Sequence, residues 1–254
     1  MTQSLASLNP TTRFSNRVEN YVKYRPSYPD AIIAFLEENI GLKKDQRIAD
    51  VGSGTGIFSE LLLKHGYAVV GIEPNEDMRK AAERRLSGYP GFTSKNHRAE
   101  QTGLPKQSVD LITVAQAFHW MDLVPTKKEF LRILRPGGHI VLAWNLRQKN
   151  TPFLKDYDEL KLQFGTDYRA SKMVNDESIQ QFYTPMPVQV VSFENRQLLD
   201  FEGLKGQLLS TSYIPLPGHP DYEKMIEHLV KLFIAHNEKG FVQMEYETKV
   251  YFNR

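Results

Sequence analysis

Seven consecutive residues, Asp50-Val51-Gly52-Ser53-Gly54-Thr55-Gly56, have the composition of a backbone turn made to lie against a ligand. Glycines let a chain turn sharply where a strand gives way to a helix, and they leave no Cβ between the backbone and what approaches it. About twenty residues on, at the end of a second apolar run, stands Glu73; a carboxylate so placed accepts both hydroxyls of an adenosine ribose. A dinucleotide fingerprint needs a third glycine where this chain has Ile57, and no lysine followed by serine or threonine closes the turn as a P-loop requires. A further group, Gln116, Ala117, Phe118, His119 and Trp120, follows the clearest apolar strand of the chain. Ligands of open α/β sheets bind at the carboxyl edge of the strands, so these residues are placed to flank a reacting atom. His119, which in its ordinary state titrates near neutral pH, is the candidate general base, with a structural hydrogen bond as its alternative role. Trp120 and Trp144 are packing residues or substrate walls.

These residues need a frame, and the apolar periodicity supplies one. Residues 47–51, 68–72, 92–96, 109–117 and 139–144 read as short apolar strands. Helical spacing at 31–40, 58–65, 76–86 and 127–134 separates them, with Gly41, Gly66 and Pro136-Gly137-Gly138 as stops. Strand and helix alternating in this way predict a doubly wound, mostly parallel sheet with helices on both faces. After Asn145 the rhythm changes: 153–164 and 222–237 read as helices, and strands resume at 188–193 and 248–252. The expected organisation is an N-terminal segment over 1–30, a core over 31–145, a helical insertion over 146–187, and C-terminal strands and helices over 188–254 that complete the sheet.

The 254 residues allow one large core, and 41% hydrophobic with 24% charged residues is ordinary for a folded globular chain. A formal net charge of +2 gives no electrostatic reason to expect nucleic acid. The basic groups Lys43, Lys44 and Arg47, and Arg79, Lys80, Arg84 and Arg85, read as solvated faces. Without cysteine there is no disulfide, thiolate zinc site, iron–sulfur cluster or thiolate nucleophile. No metal site is expected. Residues 1–10 lack a signal pattern and no apolar run reaches membrane-spanning length, so a cytoplasmic location is the expectation.

Five motifs in order, DVGSGTG, Glu73-Pro74-Asn75, Ala99-Glu100 before Leu104-Pro105, SVDLITVAQAFHW and LRPGGHIVLAW, make residues 48–145 resemble the class I S-adenosylmethionine-dependent methyltransferases, in particular the small-molecule branch with the type 11 domain. A weaker resemblance, to mostly uncharacterised bacterial and fungal members, takes in residues 14–29 and 210–215. The resemblance implies a Rossmann-like seven-stranded sheet with a helical cap, and S-adenosyl-L-methionine as cofactor. Asp50, Gly52, Ser53, Gly54, Thr55 and Gly56 would line its methionine part, and Glu73 would hold the ribose. Asn75 or Met78 would pack beside the adenine, with Pro74 also in the cofactor site, Ala99 and Glu100 at the adenine amino group and Gln116 and Ala117 towards the methyl group. An N-terminal segment carrying Arg13, Phe14, Tyr21, Tyr24, Arg25 and Tyr28 would fold across the cofactor, with a structural wrap that leaves its arginines exposed as the alternative; Arg25 or Arg13 would pair with the cofactor carboxylate or an acidic substrate, and Tyr21, a candidate catalytic residue with His119, would close the pocket. The implied partner is a small-molecule methyl acceptor bound by a monomer or homodimer, with no nucleic acid and no membrane. The chain has no cysteine for attack on cytosine C5, and it lacks the Asn/Asp-Pro-Pro-Tyr/Phe loop of amino-methylating nucleic-acid enzymes. A protein or RNA acceptor remains a same-class alternative, and an inactive cofactor-binding regulator or a nucleotide-dependent oxidoreductase are the alternatives from other classes.

Overall fold

The computed structural model describes residues 17–166 and 176–253. Seven strands form one sheet in the order β3-β2-β1-β4-β5-β7-β6. They are β1 Arg47–Val51, β2 Ala68–Ile72, β3 Phe92–Lys95, β4 Val109–Ala115, β5 Leu134–Arg147, β6 Val188–Leu199 and β7 Val242–Asn253. The first five pair in parallel, while β7 runs antiparallel to both β5 and β6. This is the Rossmann-like α/β fold expected.

Alternation along the strands decides what each face buries. On β5, Ile140, Leu142 and Trp144 join one core with Ala49, Val51, Phe118, Phe130, Phe182 and Tyr183, while Val141 and Ala143 join a second with Ile48. The second core is closed by α2 Ala31–Asn39, through Ile32, Ile33 and Leu36, and by α3 Ile57–Lys64, through Phe58, Leu61 and Leu62. The first is closed by α5 Leu123–Ile133 and by α7 Asp176–Tyr183. Phe118, Phe130 and Phe182 meet there edge to face, with Phe182 4.8 Å from Phe118 and 6.0 Å from Phe130, a favoured aromatic geometry.

A third core lies off the sheet. It joins α6 Pro152–Phe164, α8 Phe201–Leu209 and α9 Tyr222–His236 to the outer halves of β6 and β7, through Leu154, Tyr157, Leu204, Leu208, Met225, Leu229 and Met244. The helical cover is therefore assembled from separated stretches, and α7, within the 146–187 stretch, packs on the sheet instead. A short helix α1, Val18–Tyr24, bridges the cover to α4, Glu76–Arg85: Val18 buries against Met78 and Ala81. The Arg17 guanidinium donates to the carbonyls of Leu209, Thr211 and Ile214 at 2.6–2.7 Å. Cations there meet the unsatisfied carbonyls at the end of α8. Gly206 makes the contact possible, since a Cβ on it would fall 2.0 Å from the Tyr24 ring.

Several element ends differ from expectation. β4 stops at Ala115 rather than continuing to 117, because Gln116 takes a left-handed conformation, φ 57°. β5, β6 and β7 run well past the apolar stretches, and β6 and β7 pair over all twelve residues of each. That extended ribbon carries polar outward positions such as Glu194 and Arg196 and reaches the cover.

Candidate active site

The turn after β1 is held by its own strand neighbours. Register sets Asp50 between Gly71 on β2 and Thr113 on β4. Its two carboxylate oxygens accept from Ser59 Oγ at 2.6 Å and Thr113 Oγ1 at 2.9 Å. Burial outweighs these bonds and raises its pKa to about 6. Gly52, Gly54 and Gly56 all have positive φ, at 69°, 55° and 80°, where an L side chain is strained. At Gly52 a Cβ would also fall 2.5 Å from the Cβ of Ala117, so the turn and the end of β4 lie against each other.

Glu73, 7% exposed, closes the same turn from β2. Its carboxylate accepts from the Gly54 amide at 2.9 Å and from the Asn75 amide at 2.8 Å. Burial lifts its pKa to about 7 against the pull of those two amides, with Asp50 adding to the rise. Pro74 follows, Asn75 caps α4 by accepting from the Met78 amide, and Met78 is buried beneath α1. The hydroxyl of Thr55, a residue 1% exposed, has no hydrogen-bond partner among the described residues. An oriented carboxylate, a turn with no side chain at Gly52, Gly54 and Gly56, and an orphaned hydroxyl in one place suit a ligand carrying hydroxyl, amine and carboxylate groups. S-adenosylmethionine has all three.

Beyond the turn opens a cleft with about 780 Å³ of empty space, counted out to its open mouth. Of the expected residues it takes in Asp50, Gly52, Ser53, Gly54, Thr55 and Gln116 on the sheet side and Tyr21 and Arg25 on α1 and just beyond it. The Arg25 guanidinium lies 4.8 Å from the centre of the Tyr21 ring and donates to the Ser210 carbonyl at 3.0 Å. Arg13 and Phe14 lie outside the described residues.

Other expected residues stand around the cleft rather than in its lining. Ala99 belongs to the first core, and the Glu100 carboxylate accepts from the Asp122 amide at 3.0 Å and faces Arg98 at 3.6 Å. Ala117 abuts Gly52, as above. His119 occupies a single 3₁₀ turn, Phe118–Trp120, with its ring 4.8 Å from that of Trp120. Burial lowers its pKa to about 4, so it is neutral at physiological pH and a weak base. Trp144 is buried and packs edge to face on Phe118 and Tyr251.

Four lining residues, Arg147, Lys161, Gln207 and Tyr246, fall outside every sequence motif. Register brings Arg147 opposite Tyr246 where β5 and β7 overrun the sheet edge. Gln207 donates to the Tyr246 hydroxyl at 2.9 Å and accepts from the Tyr157 hydroxyl. A signal for Lys161 was present: on α6 it shares the buried stripe of Leu154, Tyr157 and Phe164, an unusual place for a lysine.

Residues 49–142 match the family of the methyltransferase domain. An uncharacterised methyltransferase of Mycobacterium tuberculosis is 33% identical over 147 residues, and the match spans 58% of each chain. An uncharacterised methyltransferase-like protein of Schizosaccharomyces pombe is 26% identical over 155 residues, 61% of this chain and 59% of that one. The chain thus aligns with less than two thirds of the length of either relative. Among solved structures, a candidate type II methyltransferase from Anaeromyxobacter dehalogenans superposes with a TM-score of 0.66 at 23% identity, over 91% of this chain and 98% of its own. A Haemonchus contortus phosphoethanolamine N-methyltransferase, solved with phosphomonomethylethanolamine and S-adenosylhomocysteine, gives 0.58 at 17% identity, over 97% of this chain and 58% of that one. Residues 49–142 thus match a methyltransferase domain, and the chain shares its fold with those solved methyltransferases.

Proposed function

We propose that the protein transfers the methyl group of S-adenosyl-L-methionine to a small-molecule acceptor bound in this cleft. One observation carries the reading: Glu73 reaches the Gly54 amide of the glycine turn at 2.9 Å, so the two elements that grip an adenosyl group are adjacent. In this reading Gly52–Gly56 and Asp50 take the methionine part and Arg25 pairs with its carboxylate. Glu73 takes the ribose, while Pro74, Met78, Ala99 and Glu100 surround the adenine. Gln116 and Ala117 face the methyl group, and Tyr21 closes the pocket. Bound there, the cofactor supplies a methyl carbon activated by its sulfonium: the acceptor's lone pair forms the new bond while the carbon–sulfur pair leaves on sulfur. The protein's share is alignment and exclusion of water. His119 is the candidate base, and its weakness favours an acceptor that arrives with a lone pair already free.

Among the described residues no helix is long and apolar enough to cross a membrane, and a cytoplasmic monomer or homodimer is the accompanying reading. The test is a screen of fractionated metabolites for S-adenosylhomocysteine release by the purified protein. A fraction that supports release in proportion to enzyme supports the reading. Binding of the cofactor with no release from any small-molecule, protein or RNA pool contradicts it and leaves a cofactor-binding regulator.

A further inference from the structure

The β5/β7 end of the cleft holds a concentration of positive charge that the described residues neutralise only in part. Arg147 and Lys161 line it, beside Arg25, which the reading above pairs with the cofactor carboxylate. Lys161 is 6% exposed, and among the described residues no carboxylate lies within 4 Å of its ammonium; its contacts are the Tyr213 and Tyr157 rings, 5.3 and 5.9 Å from their centres. The nearby carboxylate, Asp158, is taken at 2.6 Å by Arg147 and at 2.6 Å by Lys149. Among the described residues the Arg147 Nε is buried with no hydrogen-bond partner. Burial, then Arg147 and Arg25, push the Lys161 pKa well down, with Lys149 adding and Asp158 opposing. A buried cation without a counter-charge is costly to a folded protein, and Lys161 holds that position among the apolar residues of the buried α6 stripe.

The methionine carboxylate of the cofactor does not meet this need. It belongs to the glycine turn at β1, whereas Arg147 and Tyr246 stand on β5 and β7, two and three strands along the sheet, roughly 10 Å or more away at the usual strand spacing. Resting on the methyl-transfer reading above, we infer that the acceptor carries an oxyanion, a carboxylate or a phosphate ester, which seats on Lys161 and Arg147 within reach of the orphaned Arg147 Nε. Tyr246 and Gln207 stand beside it as neutral polar contacts. The anion supplies the missing counter-charge, and the rest of the acceptor extends back past Asn145 and Gln116 towards the methyl group.

The test titrates succinate and glycerol 2-phosphate, by calorimetry, into the full chain with and without S-adenosylhomocysteine, for wild type, Lys161→Met and Lys161→Arg. We expect at least one anion to bind wild type, Lys161→Met to weaken it by about tenfold or more and Lys161→Arg to retain most of the affinity. S-adenosylhomocysteine affinity should be unchanged in both variants, and Lys161→Met should melt no lower than wild type, since an apolar group replaces a buried charge. Which anion binds tells carboxylate from phosphate. Failure of both to bind wild type, full retention in Lys161→Met, or loss of S-adenosylhomocysteine affinity in Lys161→Met overturns the inference, the last by assigning Lys161 to the cofactor. Should S-adenosylhomocysteine itself not bind wild type, the methyl-transfer reading fails, while the titration without it still decides the anion site.

Discussion

Glu73 illustrates how a single side chain couples ligand, proton and fold. With its pKa raised to about 7 by burial, it is only about half ionised at neutral pH, yet accepting two ribose hydroxyls requires the ionised form. In the proposed ribose role, cofactor binding must therefore expel a proton wherever Glu73 holds one. Affinity for S-adenosylmethionine should be flat above about pH 7.5 and fall by up to about tenfold per unit below the carboxyl's free value. Calorimetry in two buffers of different ionisation heat should register proton release near pH 6.5. A pH-independent affinity between 5.5 and 8 would mean that this carboxylate does not meet the hydroxyls. His119, held at about 4, should leave no inflection of its own in that range.

At the scale of elements, the position of α1 depends on a glycine in another helix. Alanine at Gly206 would add about 1 kcal/mol of helix propensity, but its Cβ would meet the Tyr24 ring at 2.0 Å, an overlap that costs about 1–3 kcal/mol when neighbours must shift. Gly206→Ala should therefore destabilise modestly and speed proteolysis near residues 17–30, as α1 lifts from α8; unchanged proteolysis would show that Tyr24 simply turns aside. The same glycine explains why α8 was illegible in sequence: Gly203 and Gly206 argue against a helix until α1 is seen to need one of them. The strands β1, β2 and β4 were legible because a strand buried on both faces reads as an apolar run. The outer halves of β6 and β7 were not, since their polar positions, Glu194 to Gln197 among them, read as loop. The glycine turn and its contact with Glu73 could be read from motifs, because that turn needs its residues by type and spacing. The cationic end could not, because Arg147, Lys161 and Tyr246 meet only through strand register and a helix from the cover.

Taken as a whole, the molecule has two buried carboxyls whose folded pKa values are raised, Asp50 to about 6 and Glu73 to about 7. Each holds its proton more tightly folded than unfolded, so its contribution to stability is full below the unfolded value and is lost as pH rises through the folded one. The loss is on the order of 2–3 kcal/mol for each. Glu129 opposes them on the acid side: Arg132 and Thr102 lower it to about 2, so its contribution is present above the ordinary glutamate range and disappears as pH falls towards 2. The cofactor-free protein should be most stable near pH 5 and weaken towards pH 8, with S-adenosylhomocysteine reducing that decline. Urea unfolding at pH 5, 6.5 and 8 measures this, and a stability that rises from pH 5 to 8 without ligand would oppose it. The most direct measurement remains the affinity of S-adenosylmethionine for wild type and for Glu73→Ala by calorimetry at pH 7.5. Tight binding by wild type and a loss of about 100-fold in the variant is the predicted result, from two charge-assisted hydrogen bonds removed. Equal affinity in the two proteins would contradict the claim that the glycine turn and Glu73 together hold the adenosyl group.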